Sequence, residues 1–149
     1  MATARRDEID RRASLLASGL IGVALMAAID EVVFHQLLGW HHFYDRSTPA
    51  IGLLSDGLLH TAELVGLVAG FFWLSDLRRR GAFGRLQGWA GLLIGAGGFQ
   101  LFDGLVDHKL LRLHQIRYGV NNLAWYDWTW NLAGAALLVT GVLLLLRAR

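Results

Sequence analysis

The chain has 149 residues, of which 54% are hydrophobic and 17% are charged, and it contains no cysteine. A soluble domain has about 45–50% apolar and about 25% charged residues, so this composition favours a membrane protein. The lack of cysteine excludes a disulfide scaffold, a thiolate metal site and a cysteine nucleophile. The formal net charge is only +2, and the basic residues lie at the ends of apolar segments, which gives no support to nucleic-acid binding.

Four apolar segments follow one another along the chain, at residues 13–29, 51–75, 86–102 and 128–146. Each is close to the roughly 20 residues that a helix needs to cross the hydrocarbon core of a bilayer. Backbone groups inside lipid must pair internally, and no segment alternates as a barrel strand would. The sequence therefore predicts a single transmembrane domain over residues 1–149, an all-α integral membrane four-helix bundle in contact with the lipid bilayer.

Two of the predicted helices have capping residues at their starts. Thr48 directly precedes Pro49, and proline is well tolerated at the first helical position because its missing N–H has no partner there. Asn121 and Asn122 offer the same side-chain capping before the fourth helix. These residues predict the starts of the second and fourth helices.

The lysines and arginines are distributed unequally between the two sides of the predicted bundle. Ten lie on the side of the termini and the middle loop, and four lie on the opposite side, in or next to the loops at 39–50 and 112–125. The ten are Arg5, Arg6, Arg11, Arg12, Arg78, Arg79, Arg80, Arg85, Arg147 and Arg149, and the four are Arg46, Lys109, Arg112 and Arg117. The positive-inside rule then predicts that both termini and the middle loop lie in the cytoplasm and that the loops at 39–50 and 112–125 face outward.

The two halves of the chain match each other at polar positions. The matched residues are Asp30, His35, His41 and Asp56 in the first half and Asp103, His108, His114 and Asp127 in the second. Chance rarely aligns an aspartate and two histidines in register. The pattern predicts two tandem helix-pair repeats, at about residues 13–75 and 86–147, related by an axis along the membrane normal.

All six histidines and most of the membrane-embedded acids fall in the outer half of the predicted bundle. A buried aspartate costs about 2.5–3.5 kcal/mol at mid-span on insertion scales, so such groups must pair or bind something. Imidazole and carboxylate suit copper, zinc, iron or manganese, and the sequence thus predicts a transition-metal site. The predicted ligands are His35, His60, His108, Glu63 and Glu31; the residues predicted to orient the histidines are Asp30, Asp103, Asp56 and Asp127; further candidate ligands at the outer face are His41, His114, His42 and Asp107.

Regular helix geometry qualifies this prediction at individual positions. At 3.6 residues per turn, Asp30 and His35 lie about 140° apart, so one of them should face a neighbouring helix. The Trp40-His41-His42 segment is more typical of an interfacial anchor than of a ligand set. Small residues such as Gly95, Gly97 and Gly98 suit close helix packing.

Three other functions stay open. One is a b-type haem held by His35 and His108, which ranks below a bare metal ion because carboxylates near a macrocycle are unfavourable. Another is proton or ion conduction, although the cytoplasmic halves offer no polar residues to complete a path. The third is a structural or assembly role, with another membrane protein or a second copy of the chain as partner. Whether the chain is an enzyme is left open, and no Ser–His–Asp grouping or phosphate loop is visible.

The Asp-x4-His-x5-His pattern in two copies, Trp40-His41-His42 and Asp56-Gly-Leu-Leu-His60 resemble a bacterial family, domain of unknown function 2243. The resemblance covers nearly the whole chain and implies a small four-span inner-membrane protein without an assigned activity. The family pattern has Asp-Gly near the start of each copy, where the first copy here has Asp30-Glu31. Relatives beside respiratory oxidase and copper-handling genes imply a redox or assembly role in which copper is favoured over iron or zinc.

Overall fold

The computed structural model describes residues 8–148, and this part of the chain is helical and contains no strand. Four α-helices and two π-helices follow one another: α1 Arg11–Asp30, the first π-helix Glu31–Leu37, α2 Pro49–Arg79, α3 Arg85–Phe102, the second π-helix Asp103–Leu111 and α4 Leu123–Arg147. Arg5, Arg6 and Arg149, which enter the charge count, lie outside the described residues. The predicted all-α class is confirmed.

Four helical segments are long and apolar enough to cross a membrane, which confirms the predicted number of spans. They are Arg11–Leu37, Pro49–Arg79, Arg85–Leu111 and Leu123–Arg147. The first and third are each an α-helix that continues directly into a π-helix. Each span is longer than the apolar segment that predicted it, because residues that flank the segment remain helical.

The capping predictions differ in outcome. Thr48 caps α2, since its side chain accepts a hydrogen bond from the Ile51 backbone N–H and Pro49 takes the first helical position. Asn122 precedes α4, but its side chain makes no capping hydrogen bond. The helix start that the asparagines predict is confirmed, because α4 begins at Leu123 directly after Asn122, five residues before the uncharged segment, but the expected side-chain cap is absent.

Helices α1 and α3 form the central pair of the molecule, with α2 packed on α1 and α4 packed on α3. The central pair packs backbone to backbone, because a Cβ added to Gly95 would lie 2.1 Å from the Gly19 carbonyl oxygen. Gly97 faces α4 in the same way, because a Cβ added to Gly97 would lie 2.4 Å from the Leu138 backbone nitrogen. A Cβ on Gly98 would meet nothing within 4 Å, so the packing role predicted for Gly98 is wrong: it faces away from both neighbours.

The two π-helices place each matched aspartate and histidine on one face. Backbone hydrogen bonds in a π-helix join residues five apart, so residues at this spacing lie above one another. His35 Nε2 lies 3.6 Å from Asp30 Oδ2, and His108 Nε2 lies 3.2 Å from Asp103 Oδ2. The prediction that one member of each pair faces a neighbouring helix is wrong, because it assumed a regular α-helix.

Each π-helix ends in a left-handed residue that turns the chain back over the bundle. Gly39 has φ 57° and Arg112 has φ 53°. The next residue then donates a backbone hydrogen bond six residues back, from Trp40 to Phe34 and from Leu113 to Asp107, both at 2.9 Å. The loops that follow thus lie over the C-terminal ends of α1 and α3. These features occupy matched positions in the two halves, and the duplication itself stays a prediction.

Candidate metal centre

Four imidazoles lie together beyond the C-terminal ends of α1 and α3. The π-helices contribute His35 and His108, and the two loops contribute His41 and His114. Each of the four residues is at most 5% exposed. The His41 and His114 rings stack with centroids 4.5 Å apart, while His35 lies 4.4 Å from His41 and His108 lies 4.6 Å from His114. We call these four residues the histidine cluster.

The two loop histidines are fixed by each other's loop. His41 Nδ1 donates to the Ile116 carbonyl oxygen and His114 Nδ1 donates to the Phe43 carbonyl oxygen, both at 2.9 Å. A carbonyl can only accept, so each Nδ1 carries the hydrogen and each neutral ring keeps a lone pair on Nε2. Burial lowers the pKa of His41 to about 2, and the neighbouring His114, His35 and His108 rings add to the effect. Metal-binding histidines are commonly oriented by such a bond from the second ring nitrogen.

His114 Nε2, the ring nitrogen that does not bond to the Phe43 carbonyl, faces a nitrogen of His108 and an oxygen of Asp103. His108 Nε2 lies 3.0 Å from His114 Nε2, which is 3.4 Å from Asp103 Oδ1. Two nitrogens bound to one zinc ion at about 2.0–2.1 Å each are separated by a similar distance, roughly 3 Å. Two groups of three ligand atoms, each within 4.8 Å of one another, come from His35, His41 and His114 and from Asp103, His108 and His114. Both use His114, whose Nδ1 is occupied, so they describe one centre around its Nε2.

A second set of side chains surrounds His35 on its other edge. His35 Nδ1 lies 2.7 Å from Glu31 Oε2 and 3.1 Å from Asp56 Oδ1, and these three residues form a further group of ligand atoms. Asp56 also accepts a 2.8 Å hydrogen bond from the Phe43 backbone N–H, and its Oδ2 lies 2.6 Å from His42 Nδ1. His42 is partly exposed, with 36% of its side chain accessible. Four of the predicted carboxylates thus contact the histidine cluster, namely Asp30, Glu31, Asp56 and Asp103.

Other predicted site residues lie outside these groups of ligand atoms. His60 has 48% of its side chain exposed and pairs with Glu63, at 3.2 Å from Nδ1 to Oε2. Asp127 is paired with Lys109 at 2.5 Å instead of with a histidine. Asp107 is buried but belongs to none of the three ligand groups found among residues 8–148.

The anchoring role predicted for His41 is wrong, because His41 is only 5% exposed and stacks on His114 inside the cluster. Sequence reasoning gave the ligand role to His60 instead, since His60 lies on a predicted span and His41 lies in a loop. The sequence did contain a signal for the π-helices that lead into the two loops. The five-residue Asp–His spacing recurs in both halves, and the hydrogen bonds of a π-helix join residues five apart.

Comparison with known proteins gives one match. Residues 17–148 match the family DUF2243, described as a predicted membrane protein. No curated protein matches, and no solved structure matches. The family description names a membrane location and no ligand, so the function must be inferred from the geometry of the histidines.

Proposed function

The chain belongs to the DUF2243 family of predicted membrane proteins, and we propose that it binds one transition-metal ion in the histidine cluster. The proposed ligands are His41, His108 and His114 with Asp103, and the His35 ring packs against His41 beside this set. Copper is the favoured ion, with iron or zinc as alternatives. The centre would serve a redox or respiratory copper-related role.

One observation supports this proposal most strongly, and it concerns ring nitrogens that have no hydrogen-bond partner. His41 Nε2 and His108 Nδ1 are buried and have no such partner among residues 8–148. Buried polar atoms in folded proteins are normally paired. Histidines that served packing alone would be expected to satisfy both nitrogens, whereas each of these two rings has one buried nitrogen without a partner.

The donor set favours copper. Imidazole binds copper, zinc, iron and nickel, and among divalent first-row ions copper has the highest affinity for a given site. A haem is less suited, because the His41 and His114 rings stack at 4.5 Å with 6° between their planes and leave no room for a macrocycle between them. The same packing suits a bare ion.

We place the centre at the outer face of a bacterial inner membrane. Arg78, Arg79 and Arg80 end α2 and Arg85 begins α3, at the opposite end of the helices from the histidine cluster. The positive-inside rule then assigns this basic turn and both termini to the cytoplasm.

Metal analysis of histidine variants tests the proposal. The detergent-purified chain is incubated with one equivalent of Cu2+, passed through a desalting column and analysed for copper. We expect close to one copper per chain in the wild type and in His60→Ala, and a loss of at least about tenfold in affinity in His108→Ala and His114→Ala. His60→Ala is the matched control, since it removes a histidine of the same half outside the cluster. Copper that fails to bind, or that is lost equally in all three variants, contradicts the proposal.

A further inference from the structure

The edge of His35 that faces away from the rest of the histidine cluster is surrounded by carboxylates. Glu31 and Asp56 lie within 3.1 Å of Nδ1, and Asp30 lies 3.6 Å from Nε2. The three acid side chains are at most 5% exposed, and that of His35 is 0% exposed. His35 and His42, whose Nδ1 lies 2.6 Å from Asp56 Oδ2, can carry at most two positive charges together, so they cannot balance three ionised carboxylates. Buried charges of this kind require a further positive partner or a proton.

Glu31 supplies a more specific sign of a missing partner. Its Oε1 accepts a 2.7 Å hydrogen bond from Gln36 Nε2, which holds the carboxylate in place. Its Oε2 is buried and has no hydrogen-bond partner within residues 8–148, although it lies 2.7 Å from His35 Nδ1. The single hydrogen on that nitrogen is shared with Asp56, with which His35 does hydrogen bond. Glu31 therefore directs an unpaired oxygen at the point where His35 and Asp56 meet.

This point is separate from the centre around His114. The groups that contain His114 share its Nε2, whereas Glu31 and Asp56 approach Nδ1 of His35. The second half of the chain has no equivalent, since Gly104 occupies the position matched to Glu31. A Cβ on Gly104 would lie 2.4 Å from Asn131 Oδ1, so no side chain fits there.

We propose that Glu31, His35 and Asp56 bind a second divalent cation, distinct from the ion at His114, so that the two sites hold ions of different preference. The cation would take the place of the hydrogen on His35 Nδ1, and that hydrogen would move to Nε2, which lies 3.6 Å from Asp30 Oδ2. This inference rests on the proposed function for the first ion. Two carboxylates and one imidazole form a harder donor set than three imidazoles. Carboxylate-rich sites suit Mn2+, whereas imidazoles suit copper. The chain is then a two-metal protein with copper on the side of His108 and His114 and a harder cation on the side of Glu31.

The test loads the full-length detergent-purified chain with one equivalent of Cu2+, then adds Mn2+ and measures both metals after desalting. We expect one copper and one manganese per wild-type chain. Glu31→Gln and Asp56→Asn should bind Mn2+ at least about tenfold more weakly and keep their copper. Asp76→Asn is the matched control, because it removes an aspartate from the other end of α2, where Asp76 pairs with Arg79 and Arg80.

Retained copper also reports that the Glu31 and Asp56 variants are folded, since the two sites share one cluster. Copper binding without manganese in the wild type would overturn the second site and leave the first standing. The same holds if manganese binds equally to the wild type, Glu31→Gln and Asp56→Asn. A wild-type chain that binds neither ion would overturn the proposed function together with this inference.

Discussion

The loop histidines owe their position to backbone carbonyls of the opposite loop. His41 depends on Ile116, and His114 depends on Phe43. Both bonds join residues more than 70 positions apart, so neither half of the chain can set these rings alone. That fixed acceptor places a hydrogen on Nδ1 of each ring, so the lone pair of a neutral ring lies on Nε2.

His41 should remain neutral over the whole range in which an ordinary histidine titrates. Its pKa is lowered to about 2 by burial, against about 6.5 for an exposed histidine. Between pH 8 and pH 5 we therefore expect no protonation of the ring in the metal-free protein. The measurement is the 15N chemical shift of the His41 ring, assigned by comparison with a His41→Gln variant. A titration near pH 6.5 would show that the ring is accessible to water and is not held as described.

Part of the site follows from residue types and spacing alone. The matched Asp30–His35 and Asp103–His108 pairs and the acids around them indicate a polar centre in one half of the molecule. The place of His41 and His114 does not follow, because it depends on hydrogen bonds to carbonyls that carry no side-chain identity. The position of His60 outside the histidine cluster does not follow either. It depends on how α2 packs relative to α3, and the periodicity of one helix does not determine the packing of two.

The contact of α1 with α3 depends on glycines that allow the two backbones to touch. A Cβ on Gly95 would lie 2.1 Å from the Gly19 carbonyl oxygen, which cannot move without displacing α1. Overpacking of this kind typically costs about 1–3 kcal/mol. Gly95→Ala should therefore lower the free energy of unfolding in detergent by at least that amount.

Gly98→Ala is the control, three residues along the same helix, where a Cβ meets nothing within 4 Å. Because alanine is the better helix former, Gly98→Ala should leave stability unchanged or raise it by up to about 1 kcal/mol. Both free energies can be measured by unfolding in mixed micelles. Equal stability of the two variants would contradict the backbone packing of α1 on α3.

The helices themselves are largely readable from the sequence, and their local geometry is not. Composition and length predict four spans, because the apolar runs match the thickness of a bilayer. The π-helices are missed, since apolar patterning cannot distinguish one backbone period from another over seven or nine residues. The start of α4 follows from the asparagines and not from the apolar run, because the uncharged segment begins only at residue 128 whereas the helix begins at Leu123.

At the scale of the molecule, α2 and α4 flank the central pair and expose most of their apolar residues. Examples are Phe72 at 75% exposed and Leu58 at 65% on α2, with Leu132 at 60% on α4. Such surfaces are expected to face lipid tails in a protein of four membrane-capable helices. The histidine cluster lies at the C-terminal ends of α1 and α3, on the two π-helices that continue them and in the loops that follow.

The proposed orientation can be tested with single cysteines, since the native chain has none. Ser47→Cys lies in the exposed loop before α2, near the histidine cluster, and Arg80→Cys lies in the basic turn at the opposite end. In intact spheroplasts, a membrane-impermeant maleimide should label Ser47→Cys and label Arg80→Cys only after lysis. The reverse pattern would place the histidine cluster on the cytoplasmic side.

X-ray absorption at the copper edge of the protein loaded with one equivalent of Cu2+ tests the central claim most directly. A copper ion in the histidine cluster should show outer-shell scattering from three or more imidazoles, with nitrogen neighbours at about 2.0 Å. The same spectrum should be lost in His114→Ala and kept in His60→Ala. Copper surrounded by oxygen alone, or a spectrum unchanged by His114→Ala, would contradict a metal centre built on these histidines.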